Sequence, residues 1–263
     1  MAQRFAQEGM KIVLADIEQG ALEQTASEMR QAGASVLAVR TDVSKPEEVQ
    51  ALADATLREF GAVHVVCNNA GVVPPGGFLW EMTLADWQWV MGVNLWGVIH
   101  GVKVFVPIML KQGSEGHIVN TASMAGLITG PFFGIYSVAK HAVVALSEDL
   151  YHEFNVAGAK LRVSVLCPAW VRTNLADADR NRPPELLNAP GERPASPVGQ
   201  AAMDSVRQLL ATGMAPEQVA EEVFRAVRDE KLYILPHRDR TDVIRTRMEN
   251  IVAERNPETV VFT

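Results

Sequence analysis

The sequence is poor in the residues that several function classes depend on. Its 263 residues hold two cysteines, Cys67 and Cys167, with three tyrosines and six histidines. Each cysteine ends an apolar run, so both are expected to stay reduced as core packing rather than form a disulfide. No Cys or His pair stands at metal-ligand spacing, and no metal site is expected. Positive charge is in deficit, 24 Lys and Arg against 31 Asp and Glu for a net charge of -7. With no basic arm either, nucleic acid and anionic membrane surfaces are expected not to be partners. The opening MAQRFAQEGM carries Arg4 and Glu8 and has no apolar centre, so it is not expected to be a secretory signal. The most apolar stretch, roughly 93–110, is interrupted by His100, Lys103 and Pro107 and reads as too short to span a bilayer. What remains is a cytoplasmic chain, 48% hydrophobic, long enough to bury one large core, and a single domain over 1–263 is expected.

Apolar runs at 10–16, 35–40, 63–67, 117–122, 161–167 and 232–235 read as strands, and between them lie stretches with helical spacing. The chain begins inside a helix, Ala2 to Glu8. Gly9, Gly33 and Gly61 stand where helices stop. Ser44 with Glu47, and Thr83 with Asp86, have the spacing of capping boxes. This rhythm predicts a doubly wound, mostly parallel α/β sheet with helices on both faces. A break is expected near Gly92 in the helical stretch that runs to about Leu110. Between Thr173 and Gln200 the composition changes, with prolines at 183, 184, 190, 194 and 197. A long proline-rich segment of this kind reads as a lid on the substrate side.

The chemistry concentrates in SMAGLITGPFFGIYSVAK, from Ser123 to Lys140. Tyr136 and Lys140 are one helical turn apart and so share a face. A phenol ionises near pH ~10, and a neighbouring ammonium favours the phenolate, so Lys140 is expected to lower the pKa of Tyr136. Ser123 follows the strand at 117–122, and the carboxyl ends of strands are where α/β folds hold ligands. A serine there can bond a substrate oxygen while Tyr136 exchanges the proton. No charged residue lies between Ser123 and Ile135, and Gly126, Leu127, Phe132, Phe133 and Trp170 are small or apolar. That favours an uncharged, lipophilic alcohol or ketone.

Four more segments fall in order around these residues: Asp42-Val43 and Asn68-Asn69-Ala70-Gly71 after strands, Asn94 within a helix, and Pro168 to Thr173 after another strand. Together the chain resembles the short-chain dehydrogenase/reductase family over about 1–173, more loosely beyond. The resemblance implies that Tyr136 is the catalytic acid/base, that Lys140 tunes it and binds the nicotinamide ribose, and that Ser123 steadies the substrate oxygen. It implies that Asn94 holds a helix kink and a water joining Lys140 to solvent. Asp42 and Val43 are expected beside the adenine, Asn68, Ala70 and Gly71 under the cofactor, and Thr173 at the nicotinamide carboxamide. Asp16 ends a strand where a carboxylate accepts hydrogen bonds from the adenosine ribose hydroxyls and repels a 2′-phosphate, so NAD is favoured over NADP. In this family two helices equivalent to those near 93–110 and 136–156 pair across subunits, implying a homodimer or homotetramer.

The chain departs from the family pattern in two places. Pro168-Ala169 stands for a Pro-Gly pair. The family's first strand and Thr-Gly-x-x-x-Gly-x-Gly turn have no counterpart before Ala2, so the expected fold lacks its first central strand and glycine turn. Three readings follow: an oxidoreductase interconverting a secondary alcohol and a ketone with NAD, a non-catalytic or impaired truncated form of the same fold, and an NADP-dependent ketoreductase.

Overall fold

The computed structural model describes residues 1–192 and 196–258. Pro194 of the proline-rich segment lies outside the described residues. The chain alternates helix and strand: α1 Ala2–Ala6, β1 Ile12–Asp16, α2 Gln19–Gln31, β2 Val36–Arg40, α3 Pro46–Phe60 and β3 Val65–Asn68. There follow α4 Leu84–Met91, α5 Gly97–Gln112, β4 Gly116–Thr121, α6 Gly134–Val156, β5 Leu161–Leu166, α7 Pro197–Ala211, α8 Pro216–Arg228, β6 Tyr233–Ile234 and α9 Thr241–Val252. Every strand pairing is parallel. Among the described residues the strands form two hydrogen-bonded groups, β1–β2 and β3–β4–β5–β6.

Parallel strands covered on both faces must be apolar on both sides, and β4 shows this directly. Ile118 faces a core of Val49, Ala53, Phe105, Met109, Val163 and Phe154, supplied mainly by α3, α5 and α6. Its neighbour Val119 faces the opposite layer, where Phe5 of α1 and Val219 and Val223 of α8 meet Ile12 of β1 and Leu166 of β5. This second layer draws side chains from both strand groups, so one core spans them. Gly61 ends α3 at φ 80°, a left-handed conformation that glycine reaches without a Cβ penalty.

Thr83 and Asp86 form the expected capping box at the start of α4: Thr83 Oγ1 accepts the Asp86 N–H and Asp86 Oδ2 accepts the Thr83 N–H. Ser44 does not cap α3. Lys45 occupies that position with no side-chain cap bond, and the Ser44 N–H and hydroxyl both turn back to Asp42 Oδ1, at 3.0 and 2.7 Å. Asp42 outcompetes Glu47 because its short carboxylate reaches two residues along the chain without ordering a long side chain.

The break near Gly92 is a π-helical stretch, Gly92–Trp96, between α4 and α5. The three pieces form one helical run, Leu84–Gln112, of 29 residues, long and apolar enough to cross a membrane. That corrects the sequence-based expectation of a run too short to do so. Trp89, Val90, Val98, Phe105, Val106 and Met109 of this run are buried against protein, which gives its apolar character a packing cause. The proline-rich segment carries two short 3₁₀ turns, Leu175–Asn181 and Pro184–Leu186. The helix α7, not expected from the sequence, starts at Pro197 with Ser196 Oγ accepting the Gly199 N–H.

Candidate active site

Ser123 leaves β4 in extended conformation and caps a 3₁₀ turn over Met124–Gly126. Its Oγ accepts the Ala125 N–H at 3.1 Å and donates to Pro168 O, beyond β5, at 3.3 Å. The turn lies directly on α6. A Cβ added to Gly126 would stand 2.6 Å from Lys140 O, so only glycine permits this approach. In this way the ends of β4 and β5 are fastened to the helix that carries Tyr136 and Lys140.

Tyr136 and Lys140 stand one turn apart on α6, with Lys140 Nζ 5.6 Å from the tyrosine ring centroid. Lys140 is buried, and its Nζ donates to Thr121 O at 2.7 Å. Burial lowers its pKa to about 8. Burial also raises the Tyr136 phenol to about 12, against the hydrogen bond with Ser123, which acts to lower it. Desolvation is the largest influence on the Tyr136 phenol, and the Lys140 ammonium has a backbone carbonyl as its hydrogen-bond partner.

Asn94 lies inside the π-helical stretch and is fully buried. Its Oδ1 accepts the Val72 N–H and its Nδ2 donates to Val72 O, each at 2.8 Å. The extra residue of the π turn thus rotates an amide out of the helix to pin the loop after β3. Gly71 sits between the two polar heads, since a Cβ there would lie 3.5 Å from Asn94 Oδ1 and 3.7 Å from Lys140 Nζ. Five expected residues, Gly71, Asn94, Ser123, Tyr136 and Lys140, are thereby brought into one cluster.

The remaining expected cofactor residues stand at or beyond the carboxyl ends of β1, β2, β3 and β5. Asp16 is exposed at the end of β1, its Oδ1 accepting the Glu18 N–H at 2.9 Å. Asp42 and Val43 follow β2, and Val43 O is bonded to His100 Nδ1 at 2.9 Å. Ala70 and Thr173 are exposed. Asn68 behaves differently: its Nδ2 donates to Asn120 Oδ1 at 2.8 Å, and Asn120 bonds Ser147 in turn. The Asn68 side chain packs against Gly101, where a Cβ would clash with it. A cofactor contact from Asn68 is accordingly left to its backbone. The donor set fits a dinucleotide: an exposed carboxylate for ribose hydroxyls at one end, and at the other an ammonium with one backbone partner and two protons left to donate.

In the loop after β3, Phe78 stacks on Trp80 with ring centroids 4.7 Å apart and meets Phe132 edge-on at 5.6 Å. Trp80 is 80% exposed, an unusual state for so large an apolar ring. Sequence reading selected Phe132 and missed Phe78 and Trp80, for which the run FLW after Gly76-Gly77 was the available signal. It also missed the buried ion pair between Arg182 and Asp86. Arg182 Nη1 lies 2.7 Å from Asp86 Oδ1, with both side chains at 5% exposure or less. Asn188 Nδ2 joins the same oxygen, and Thr83 Oγ1 donates to Asn188 Oδ1. The proline-rich segment is thereby anchored to the start of α4.

Residues 1–183 match the family model described as short chain dehydrogenase. The chain is a short-chain dehydrogenase/reductase. It is an enzyme of that family, an oxidoreductase with a Rossmann-like fold. A short-chain dehydrogenase/reductase from Burkholderia phymatum, solved in complex with NAD, is 48% identical with a TM-score of 0.96, covering 100% of this chain and 92% of that one. A CLA biosynthesis dehydrogenase/reductase of Lactiplantibacillus plantarum is 30% identical over 258 residues, 98% of this chain and 90% of its own length. A 1-deoxy-11-beta-hydroxypentalenate dehydrogenase of Streptomyces exfoliatus is 33% identical over 252 residues, 95% of this chain and 82% of its own. The expectation of a fold lacking its first central strand and glycine turn is not borne out, because the described fold superposes over its whole length on nearly all of a solved family member.

Proposed function

We propose that this enzyme interconverts a lipophilic secondary alcohol and a ketone with NAD(H). The observation that carries the reading is the joining of Ser123, Tyr136 and Lys140 at the carboxyl ends of β4 and β5 by the Gly126 contact. A nicotinamide cofactor, when bound by these residues, would supply or accept the hydride. Ser123 Oγ bonds the substrate oxygen, and Tyr136 takes the hydroxyl proton of an alcohol or returns one to a ketone. At neutral pH the phenol, with its pKa near 12, holds its proton and stands ready as the acid. As the base it relies on Ser123 and on the Lys140 charge to stabilise the phenolate. Lys140 holds the ribose, and Asn94, fixed by Val72, borders Gly71 and the ammonium. Phe78, Trp80 and Phe132 give the substrate an apolar wall, and the described residues between 173 and 200 form its lid within a single domain. Two relatives with dehydrogenase names at 30 and 33% identity support alcohol and ketone chemistry.

NAD is favoured over NADP by the exposed Asp16 carboxylate. The nearby Arg40 guanidinium is drawn to Glu48 at 3.5 Å rather than offered to a 2′-phosphate. The NAD complex of the Burkholderia relative agrees with this preference. Trp96 at the start of α5 and Val138 and Val156 on α6 are exposed, at 52, 45 and 91%. This suits α5 and α6 for pairing with a second copy in a homodimer or homotetramer. We place the enzyme in the cytoplasm, consistent with two free cysteines whose thiols burial keeps protonated, at about 11 and 12.

Replacing Tyr136 by Phe removes the transferable proton and little shape, and should cut turnover at least about 100-fold while NAD affinity holds within about threefold. Retention of a tenth of the wild-type rate would remove Tyr136 from the acid/base role. Asp16→Ala should weaken NAD and narrow the NAD to NADP affinity ratio. An unchanged ratio in paired titrations means that Asp16 does not reach the ribose.

A further inference from the structure

Arg180, in the 3₁₀ turn Leu175–Asn181, joins the segment after Thr173 to the loop after β1. Its Nη1 donates to Asn174 O and Asp177 O at 3.1 and 2.7 Å, which fixes one edge of the guanidinium to its own segment. The other edge, Nε and Nη2, points at a single oxygen, Glu18 Oε1, at 3.0 and 2.6 Å, and Asn181 Nδ2 joins that oxygen at 2.7 Å. Glu18 lies two residues beyond Asp16, and Asn174 is the residue after Thr173. A dinucleotide with its ribose on Asp16 and its nicotinamide at Thr173 has its diphosphate between them, in the interval this guanidinium spans.

We propose that Arg180 is the diphosphate clamp of the dinucleotide site, with Glu18 holding its place until the cofactor binds. The inference rests on the reading of Asp16 and Thr173 as the two ends of that site. An edge offering Nε and Nη2 matches two phosphate oxygens as well as it matches a carboxylate. The side chains of Arg180 and Glu18 are 42 and 32% exposed, so the pair is weakly held and can exchange partners. The neighbouring Asp177 carboxylate is directed to Arg207, at 3.9 Å. Exchange also couples binding to the lid, because the residue that moves onto the phosphates belongs to the proline-rich segment.

The test is binding of ADP-ribose by calorimetry and of adenosine by ligand-observed NMR, to the wild type and to Arg180→Gln, Arg180→Lys and Glu18→Gln. Circular dichroism melts would verify that each variant is folded. Arg180→Gln should weaken ADP-ribose at least about tenfold and leave adenosine unchanged, because only ADP-ribose carries the diphosphate. Arg180→Lys should recover part of the loss, and Glu18→Gln should tighten ADP-ribose by releasing the guanidinium. Unchanged ADP-ribose binding by Arg180→Gln, or an equal loss for both ligands, overturns the clamp while leaving the nucleotide site in place. A wild type that binds neither ligand overturns the nucleotide site itself, and the clamp with it.

Discussion

Two arginines of one segment, Arg180 and Arg182, tie it to two different parts of the enzyme and do so in opposite environments. Arg182 enters a dry site at the start of α4, where it meets Asp86, Asn188 and the carbonyl of Leu186, with its guanidinium 5.2 Å from the Trp89 ring centroid. Arg180 remains in solvent on Glu18. A charge buried with its partner cannot leave without stranding that partner, whereas an exposed pair separates at little cost. The same short stretch therefore has a fixed end and an exchangeable end, the arrangement a lid needs if it is to move without detaching.

The largest effect should come from breaking the fixed end. Arg182→Ala leaves Asp86 buried and unpaired, and should cost about 3–5 kcal/mol in urea unfolding, with faster proteolytic nicking within 174–192. A loss under about 1 kcal/mol would mean that the pair does not anchor the segment.

Acid should separate the anchor from the rest of the core. His117, between β3 and β5, bonds Ser164 Oγ through Nε2, and burial lowers its pKa to about 4 from 6.5. Between those values the unfolded chain binds a proton that the folded chain does not, so stability falls as pH drops from 6.5 toward 4, by at most about 3 kcal/mol. Asp86 behaves differently. Burial alone would raise its pKa, but the Thr83 N–H, Arg182 and Asn188 together hold it below the ordinary value of 3.8. Its contribution is present above that value and is lost only as pH falls through the lower folded value. Stability should thus fall between pH 6.5 and 4 in the wild type and less so in His117→Gln, while protease resistance of the segment persists. Parallel loss of both would show that the segment and core respond as one unit.

The smallest effect should follow Glu18→Gln, which removes the charge at the exchangeable end. Stability should change by less than about 1 kcal/mol. A larger loss would show that this end is as fixed as the other.

The order of strands and helices was legible in the sequence because strands of a parallel sheet leave short apolar runs such as Ile12 to Ala15 and Val36 to Val39, and glycines mark where helices end. The placement of Tyr136 and Lys140 on one face of α6 was legible because they lie one turn apart and local spacing decides their common face. Ser44 was misread because Asp42 and Glu47 competed as acceptors for the same donors and only the folded turn selects between them. The helix α7 was missed because proline-rich sequence obscures a start that its own Ser196 and Pro197 provide.

What the sequence alone determined, then, is the α/β succession, the Ser123, Tyr136 and Lys140 set, and the acidic end of β1. These depend on interactions a few residues apart or on residue types of narrow chemical use. Only the tertiary structure decided that burial keeps Tyr136 protonated, that Asn68 belongs to the Asn120 network, and that Arg182 and Arg180 meet Asp86 and Glu18 across 96 and 162 residues. Desolvation and long-range charge pairing depend on which surfaces come together, and no local pattern records that.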